Sequence, residues 1–212
     1  AHPVEVPGPV NPSAIMAWLA QKLPRDTIVT NGAGNFSSWA HRFYPYGGFR
    51  TQLGPTNGAM GYGVPAAVAA KAVHPDRTVI AMTGDGDFMM NGQELATAVQ
   101  YNLPIIVLLI NNGMYGTIRM HQEREFPERT HGTMLDNPDF PALARAYGAH
   151  GELVTTTAEF PAAFERAQAS GKPAIIELRI DPEVITTRTT LSAIREKAQR
   201  DQVAAVLNAP SS

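Results

Sequence analysis

At 212 residues, 44% hydrophobic and 17% charged, the chain is long enough to enclose one sizeable core. Its net charge of −2 gives no basic footprint for nucleic acid, and no apolar stretch approaches the ~20 residues of a membrane-crossing helix. With no cysteine, it has no disulfides, thiol nucleophile or thiolate metal site, and a cytoplasmic protein is expected.

The head, residues 1–10, carries Pro3, Pro7 and Pro9 and predicts a semi-rigid extended segment, the remnant of an interdomain linker in a piece of a longer polypeptide. It lacks the basic start and apolar centre of a signal peptide. Asn11 and Pro12 form an N-cap and first-turn proline, and Ile15, Leu19 and Leu23 recur every four residues, predicting a helix that ends near Pro24. A short strand is expected over 27–31, then a loop-rich stretch over 32–50 with one or two helical turns at 38–43. A small-residue helix follows over 59–73, with Pro65 a local irregularity. A strand over 78–82 is followed by a helix over 92–102, opened by a capping box of Asn91 and Glu94. The run 105–110 is a further strand. Helices are expected over 139–147 and 158–170, a last core strand over 174–180, and a C-terminal helix over 192–207 with a fraying tail at 208–212. Strands alternating with helices make a single three-layer α/β domain whose sheet is mainly parallel.

Two turns carry the chemistry. Gly84-Asp85-Gly86 follows the run 78–82, and Asn111-Asn112-Gly113 follows the run 105–110. Such continuously apolar runs suit parallel strands buried on both faces, and ligands of open α/β sheets sit beyond the carboxyl ends of the strands. Asp85 offers a carboxylate, Asn112 an amide oxygen, and the flanking glycines let backbone approach a ligand. A hard cation such as Mg²⁺ takes oxygen donors and leaves its other positions to phosphate and water. The start of a following helix also favours an anion. Either motif alone is compatible with an ordinary loop, since Gly-Asp-Gly is common and Asn-Gly suits a tight turn. A dinucleotide fingerprint at Gly32-Ala33-Gly34 fails at its third glycine, where Ser37 stands, and no acidic residue closes a second strand. Asp87 adds a carboxylate that would repel a diphosphate unless it points away, and no partner is readable for His41 or His131.

The ordered set, with Asp85 preceding Asn112 by 27 residues, resembles the thiamine diphosphate fingerprint. Gly58-Ala-Met-Gly-Tyr-Gly-Val-Pro-Ala-Ala before it and Asn137-Pro-Asp-Phe-Pro-Ala-Leu-Ala-Arg-Ala-Tyr-Gly after it extend the likeness over roughly 12–190. The chain is similar to the C-terminal pyrophosphate-binding domain of the acetolactate synthase and 2-oxo-acid decarboxylase superfamily. The resemblance makes 11–190 that domain and 191–212 a C-terminal helix and tail. It implies thiamine diphosphate and Mg²⁺ as cofactors, the metal held by Asp85, Asn112 and the backbone carbonyl of Met114. Gly34 and Asn35 would hold the outer phosphate, Gly84, Gly86 and Tyr115 would lie against the cofactor, and Met60 would wedge it into its bent shape.

Thr117, Ile118 and His121 fall where a substrate pocket is expected. Acetolactate synthases typically have Trp in place of His121 and Met in place of Thr117, and yeast-type pyruvate decarboxylases have Glu in place of Ile118. A lone surface histidine is the plainer reading of His121. The resemblance puts the catalytic glutamate on a pyrimidine-binding domain in the same or another chain. Glu94 and Glu123 do not match its motif, so no catalytic residue is assigned in this chain, which alone is expected to be silent. It further implies decarboxylation or carboligation of a 2-oxo acid by a homodimer or homotetramer, with FAD possible on another domain. A separate subunit of a two-chain enzyme, a non-catalytic homologue and a nicotinamide oxidoreductase are the alternatives. Apolar surface left by missing partner domains is expected to promote self-association.

Overall fold

A computed structural model describes residues 2–207; the expected fraying tail at 208–212 lies outside the described residues. Six strands, β1 (Ile28–Asn31), β2 (Gln52–Leu53), β3 (Val79–Gly84), β4 (Ile106–Asn111), β5 (His150–Val154) and β6 (Ala174–Arg179), form one sheet in the order β2-β1-β3-β4-β6-β5. Every pairing in it is parallel.

Strand alternation sends successive residues to opposite faces. On one face Ile80, Ile106, Leu108, Ile110, Ile176 and Leu178 meet helices α1 (Pro12–Lys22), α2 (Ser37–Phe43) and α8 (Phe160–Ala169) through Leu19, Trp39, Phe43 and Phe164. On the other, Val79, Ala81, Val107, Leu109 and Ile175 meet α3 (Gly63–Val73), α4 (Asp85–Asn91), α5 (Glu94–Gln100) and α7 (Phe140–Ala146) through Ala67, Phe88, Leu95 and Phe140. Burial on both faces is the reason the strands read as unbroken apolar runs. A third, smaller cluster of Met114, Met120, Ile185 and Leu191 joins α6 (Gly116–Glu125) to α9 (Leu191–Leu207).

Several expectations need correction. Residues 59–62 are loop: Gly58 (φ 69°) and Gly61 (φ 85°) hold left-handed backbone, and α3 begins at Gly63, so Pro65 lies in its first turn, where a missing N–H costs nothing. The Asn91–Glu94 capping box does not form. The chain is already helical from Asp85, Asn91 Nδ2 donates to the Gly61 carbonyl, and Glu94 accepts from Thr97 Oγ1. A capping box does form at Thr156 and Glu159, ahead of α8. Helix α6 and strands β2 and β5 had no clear signal. Asn11 caps α1 as expected, its Oδ1 accepting from the Ser13 and Ala14 amides. The proline-bearing head is extended but tied down: Asn11 Nδ2 donates to the Val4 carbonyl, and Val10 is fully buried. Among the described residues no helix is long and apolar enough to cross a membrane.

Candidate functional site

The chain leaves β1 toward β2 on one side, and leaves β3 toward β4 on the other. The loops at the carboxyl ends of β1 and β3 therefore diverge, opening a crevice at a topological switch point. A cleft of about 280 Å³ occupies it. Its walls are Ala33, Gly34, Asn35 and Phe36 after β1, Gly58 and Met60 before α3, Gly84 to Asp87 after β3, and Asn112 and Met114 to Ile118 after β4. Trp39, Ile110, Ile180, Val184 and Ile185 supply an apolar back.

Asp85 starts α4 and is 2% exposed. Its Oδ1 accepts the Gly86 amide at 3.0 Å; its Oδ2 accepts the Gly113 amide at 2.9 Å and Asn137 Nδ2 at 2.8 Å. Burial pushes this carboxyl up from its usual value, and those three bonds pull it back toward the ionised form. Gly113 has φ 70°, the left-handed conformation that lets the asparagine turn fold its amide back onto Asp85. Among the described residues Asn112 Oδ1 accepts only the long Met114 amide bond of 3.3 Å. Asn111 Oδ1 accepts the Gly113 amide and Asn137 Nδ2, both at 3.0 Å, and its Nδ2 donates to Glu177 Oε1 at 2.9 Å.

Asn137 and Glu177 were not identified as site residues from sequence. Asn137 reaches the site because residues 133–135 run antiparallel to 113–115, with Tyr115 N–H donating to the Thr133 carbonyl and Leu135 N–H to that of Gly113. The available signal was Asn137 itself, at the head of the downstream motif. Glu177 is a charged residue set between apolar Ile176 and Leu178 in β6 and is 1% exposed; its place within that apolar stretch was its signal.

The other expected residues are placed as follows. Gly34, Asn35, Met60, Gly84, Gly86, Asn112, Met114 and Tyr115 all line the cleft, as do Thr117 and Ile118. His121 is exposed one turn further along α6 and is not among the lining residues. The Asn35 amide donates to Thr117 Oγ1 at 3.1 Å, joining the loop after β1 to the start of α6. Asp87 accepts from the Ala33 and Gly61 amides and from Thr83 Oγ1, so its carboxylate is taken up by the protein. His41 is hydrogen-bonded to Asn31 Oδ1 and Gln52 Nε2, and burial lowers its pKa.

The donor set fits a hard cation. Among the described residues no cluster of three or more His, Cys, Asp or Glu is arranged to hold a metal. Asp85, Asn112 and Met114 line the cleft together instead, and Asp85 Oδ1 and Asn112 Oδ1 each retain acceptor capacity. Among the described residues the lining includes two carboxylates and no Lys, Arg or His. A diphosphate placed there would meet no side-chain cation among the described lining residues, and a divalent ion is a group that could neutralise it.

Residues 32–178 match the family model described as thiamine pyrophosphate enzyme, C-terminal TPP binding domain. The large subunit of acetolactate synthase isozyme 2 from Escherichia coli is 37% identical over 171 residues, covering 79% of this chain and 31% of the relative. A probable acetolactate synthase from Mycobacterium bovis is 36% identical over 184 residues, 85% of this chain and 33% of the relative. Among solved structures, the thiamine diphosphate-dependent 4-hydroxybenzoylformate decarboxylase of Rhodococcus jostii superposes with a TM-score of 0.77 at 32% identity, over 85% of this chain and 34% of that one. The chain thus spans about a third of the length of the relatives it matches.

Proposed function

This chain belongs to the thiamine pyrophosphate enzymes, as their C-terminal TPP-binding domain, and on that premise we propose that it holds the Mg²⁺-diphosphate half of an acetolactate synthase-like active site. The observation that carries the reading is the cluster of oxygen donors at the ends of β3 and β4, facing a cleft without a cationic side chain. Asp85, Asn112 Oδ1 and the Met114 carbonyl hold the cation. Gly34 and Asn35 meet the outer phosphate, Gly84, Gly86 and Tyr115 lie against the rest of the cofactor, and Met60 props its bend. Asn137 holds Asp85 in place from behind.

When bound, thiamine diphosphate supplies the electron sink for decarboxylating a 2-oxo acid, with carboligation to a second carbonyl as the expected outcome. Thr117 and Ile118 belong to the substrate side, and His121 stands one turn further along α6, outside the cleft lining. The glutamate that handles the cofactor's pyrimidine ring lies on another domain, in the same or another chain. Supporting this, Glu123 is committed to Arg119 and Arg195, and Glu94 to Thr97. The isolated chain is therefore catalytically silent and works within a homodimer or homotetramer. Exposed Met60, Tyr62, Met89 and Met90 beside the cleft favour such a partner.

The test is a thiamine diphosphate titration of the intact assembly with and without Mg²⁺, followed by assay of CO₂ release from 2-oxo acids. Binding is expected only with Mg²⁺ and is abolished by Asp85→Ala. Metal-independent binding, or none, overturns the reading. Binding without turnover in the complete assembly assigns a non-catalytic homologue, and turnover by the 212-residue chain alone refutes its silence.

A further inference from the structure

We infer that Asp87 is a positioning residue, whose carboxylate clamps together the loop that meets the cofactor's outer phosphate and the loop that props its bend; the inference rests on the cofactor reading above. Asp87 lies two residues beyond Asp85 in α4 and is 3% exposed. Its Oδ1 accepts the Ala33 amide at 3.2 Å and the Gly61 amide at 2.8 Å, and its Oδ2 accepts Thr83 Oγ1 at 2.6 Å. Ala33 directly precedes Gly34 and Asn35, the phosphate-side pair. Gly61 directly follows Met60, the wedge. Thr83 is in β3, two residues before Asp85. A single buried side chain thus fixes the span between the phosphate end and the wedge end, and references both to the strand that presents the metal ligand.

Other bonds tie each loop to the body separately: Gly32 N–H donates to the Met82 carbonyl, and Asn91 Nδ2 to that of Gly61. Asp87 is bonded to both loops. Its negative charge beside a diphosphate site is compatible with this role because three of its acceptor positions are filled by protein donors. The contacts also explain why an acid is used. A carboxylate presents two oxygens on one short stem, enough for two diverging amides and a hydroxyl, which serine cannot reach together.

The experiment compares Asp87→Ala, Asp87→Ser and Asp87→Asn in the intact protein. Asn keeps the shape: its oxygen can accept both amides, and its NH₂ faces a Thr83 hydroxyl that can turn to accept. In ligand-free protein, amide hydrogen exchange at 32–36 and 58–62 should rise together in the Ala and Ser variants and stay near wild type in the Asn variant. In Mg²⁺-thiamine diphosphate titrations followed by tryptophan fluorescence, with Trp39 lining the cleft, the Ala variant should bind about tenfold more weakly, or about 1.4 kcal/mol. The Mg²⁺ concentration giving half-saturation at saturating thiamine diphosphate should not move.

Unchanged exchange and affinity in a folded Ala or Ser variant overturn the clamp. An Asn variant as impaired as Ala, with a shifted Mg²⁺ requirement, overturns it in favour of a direct ionic role. If wild type binds no Mg²⁺-thiamine diphosphate, the cofactor reading has failed, and the exchange comparison alone decides whether the clamp exists.

Discussion

Replacing Glu177 by alanine tests how the metal-side turn is held. Glu177 is 1% exposed on β6, and its Oε1 accepts from Asn111 Nδ2 at 2.9 Å and from Arg179 Nε and a terminal guanidinium nitrogen at 3.2 and 3.0 Å. The energetics are not one-sided. The Arg179 side chain is 56% exposed, so releasing it to water costs about 0–1 kcal/mol. Asn111 Nδ2 would lose its acceptor, an orphaned donor worth about 1–3 kcal/mol. Against this, Oε2 is buried and without a hydrogen-bond partner among the described residues, so wild type already bears an unfavourable term that alanine removes. The net expectation for Glu177→Ala is a loss of about 2 kcal/mol. Glu177→Gln retains the acceptor and sheds the buried charge, and should lose no more than about 1 kcal/mol. Urea denaturation of ligand-free protein followed by far-UV circular dichroism reads both, and a cycle with Asn111→Ala should return a coupling of about 1 kcal/mol. A Glu177→Ala variant within about 0.5 kcal/mol of wild type, or zero coupling to Asn111, would refute the argument that Glu177 anchors the asparagine turn.

Two further outcomes are expected. Glu123, fully buried and held by Arg195 foremost and also by the Glu128 amide and Arg119, has its pKa lowered from 4.5 to about 2. Because the folded-state value lies below the ordinary one, its stabilisation, on the order of 3 kcal/mol, is present above about pH 4.5 and is lost as pH falls from 4.5 toward 2. The stability gap between wild type and Glu123→Gln should close over that window, and a gap independent of pH would contradict the assignment. At Gly32, a Cβ would stand 2.1 Å from each Asp87 carboxylate oxygen. Gly32→Ala should therefore cost about 2–3 kcal/mol in urea denaturation, falling below about 1 kcal/mol in an Asp87→Ala background; equal costs in both backgrounds would show that the clash is relieved elsewhere.

The short-range patterns carried much of the answer. The apolar runs at 78–82 and 105–110 read as strands buried on both faces, and β3 and β4 are the sheet's central pair. Asn11 announced its own cap, and the interval from Asp85 to Asn112 pointed to the family that residues 32–178 match. Periodicity misled where composition outweighed a turn. The alanines and glycines of 59–73 read as one helix, although Gly58 and Gly61 take left-handed backbone that keeps Met60 in a loop at the cleft. Likewise, the Asn91–Glu94 spacing matched a capping box, but α4 had already begun at Asp85 and Asn91 was bonded to Gly61.

The sequence by itself therefore determined the layered α/β fold and the family, because alternation, caps and motif spacing are properties of neighbouring residues. Only the tertiary structure decided what stands behind the site. The contacts of Asn137 with Asp85, Glu177 with Asn111, and Asp87 with Ala33 and Gly61 join residues 52, 66, 54 and 26 positions apart. Their geometry follows from sheet register and from the return of 133–135 against 113–115. Such long-range hydrogen bonds leave no periodic trace in the chain, since the partner of a buried polar group is set by which elements pack together.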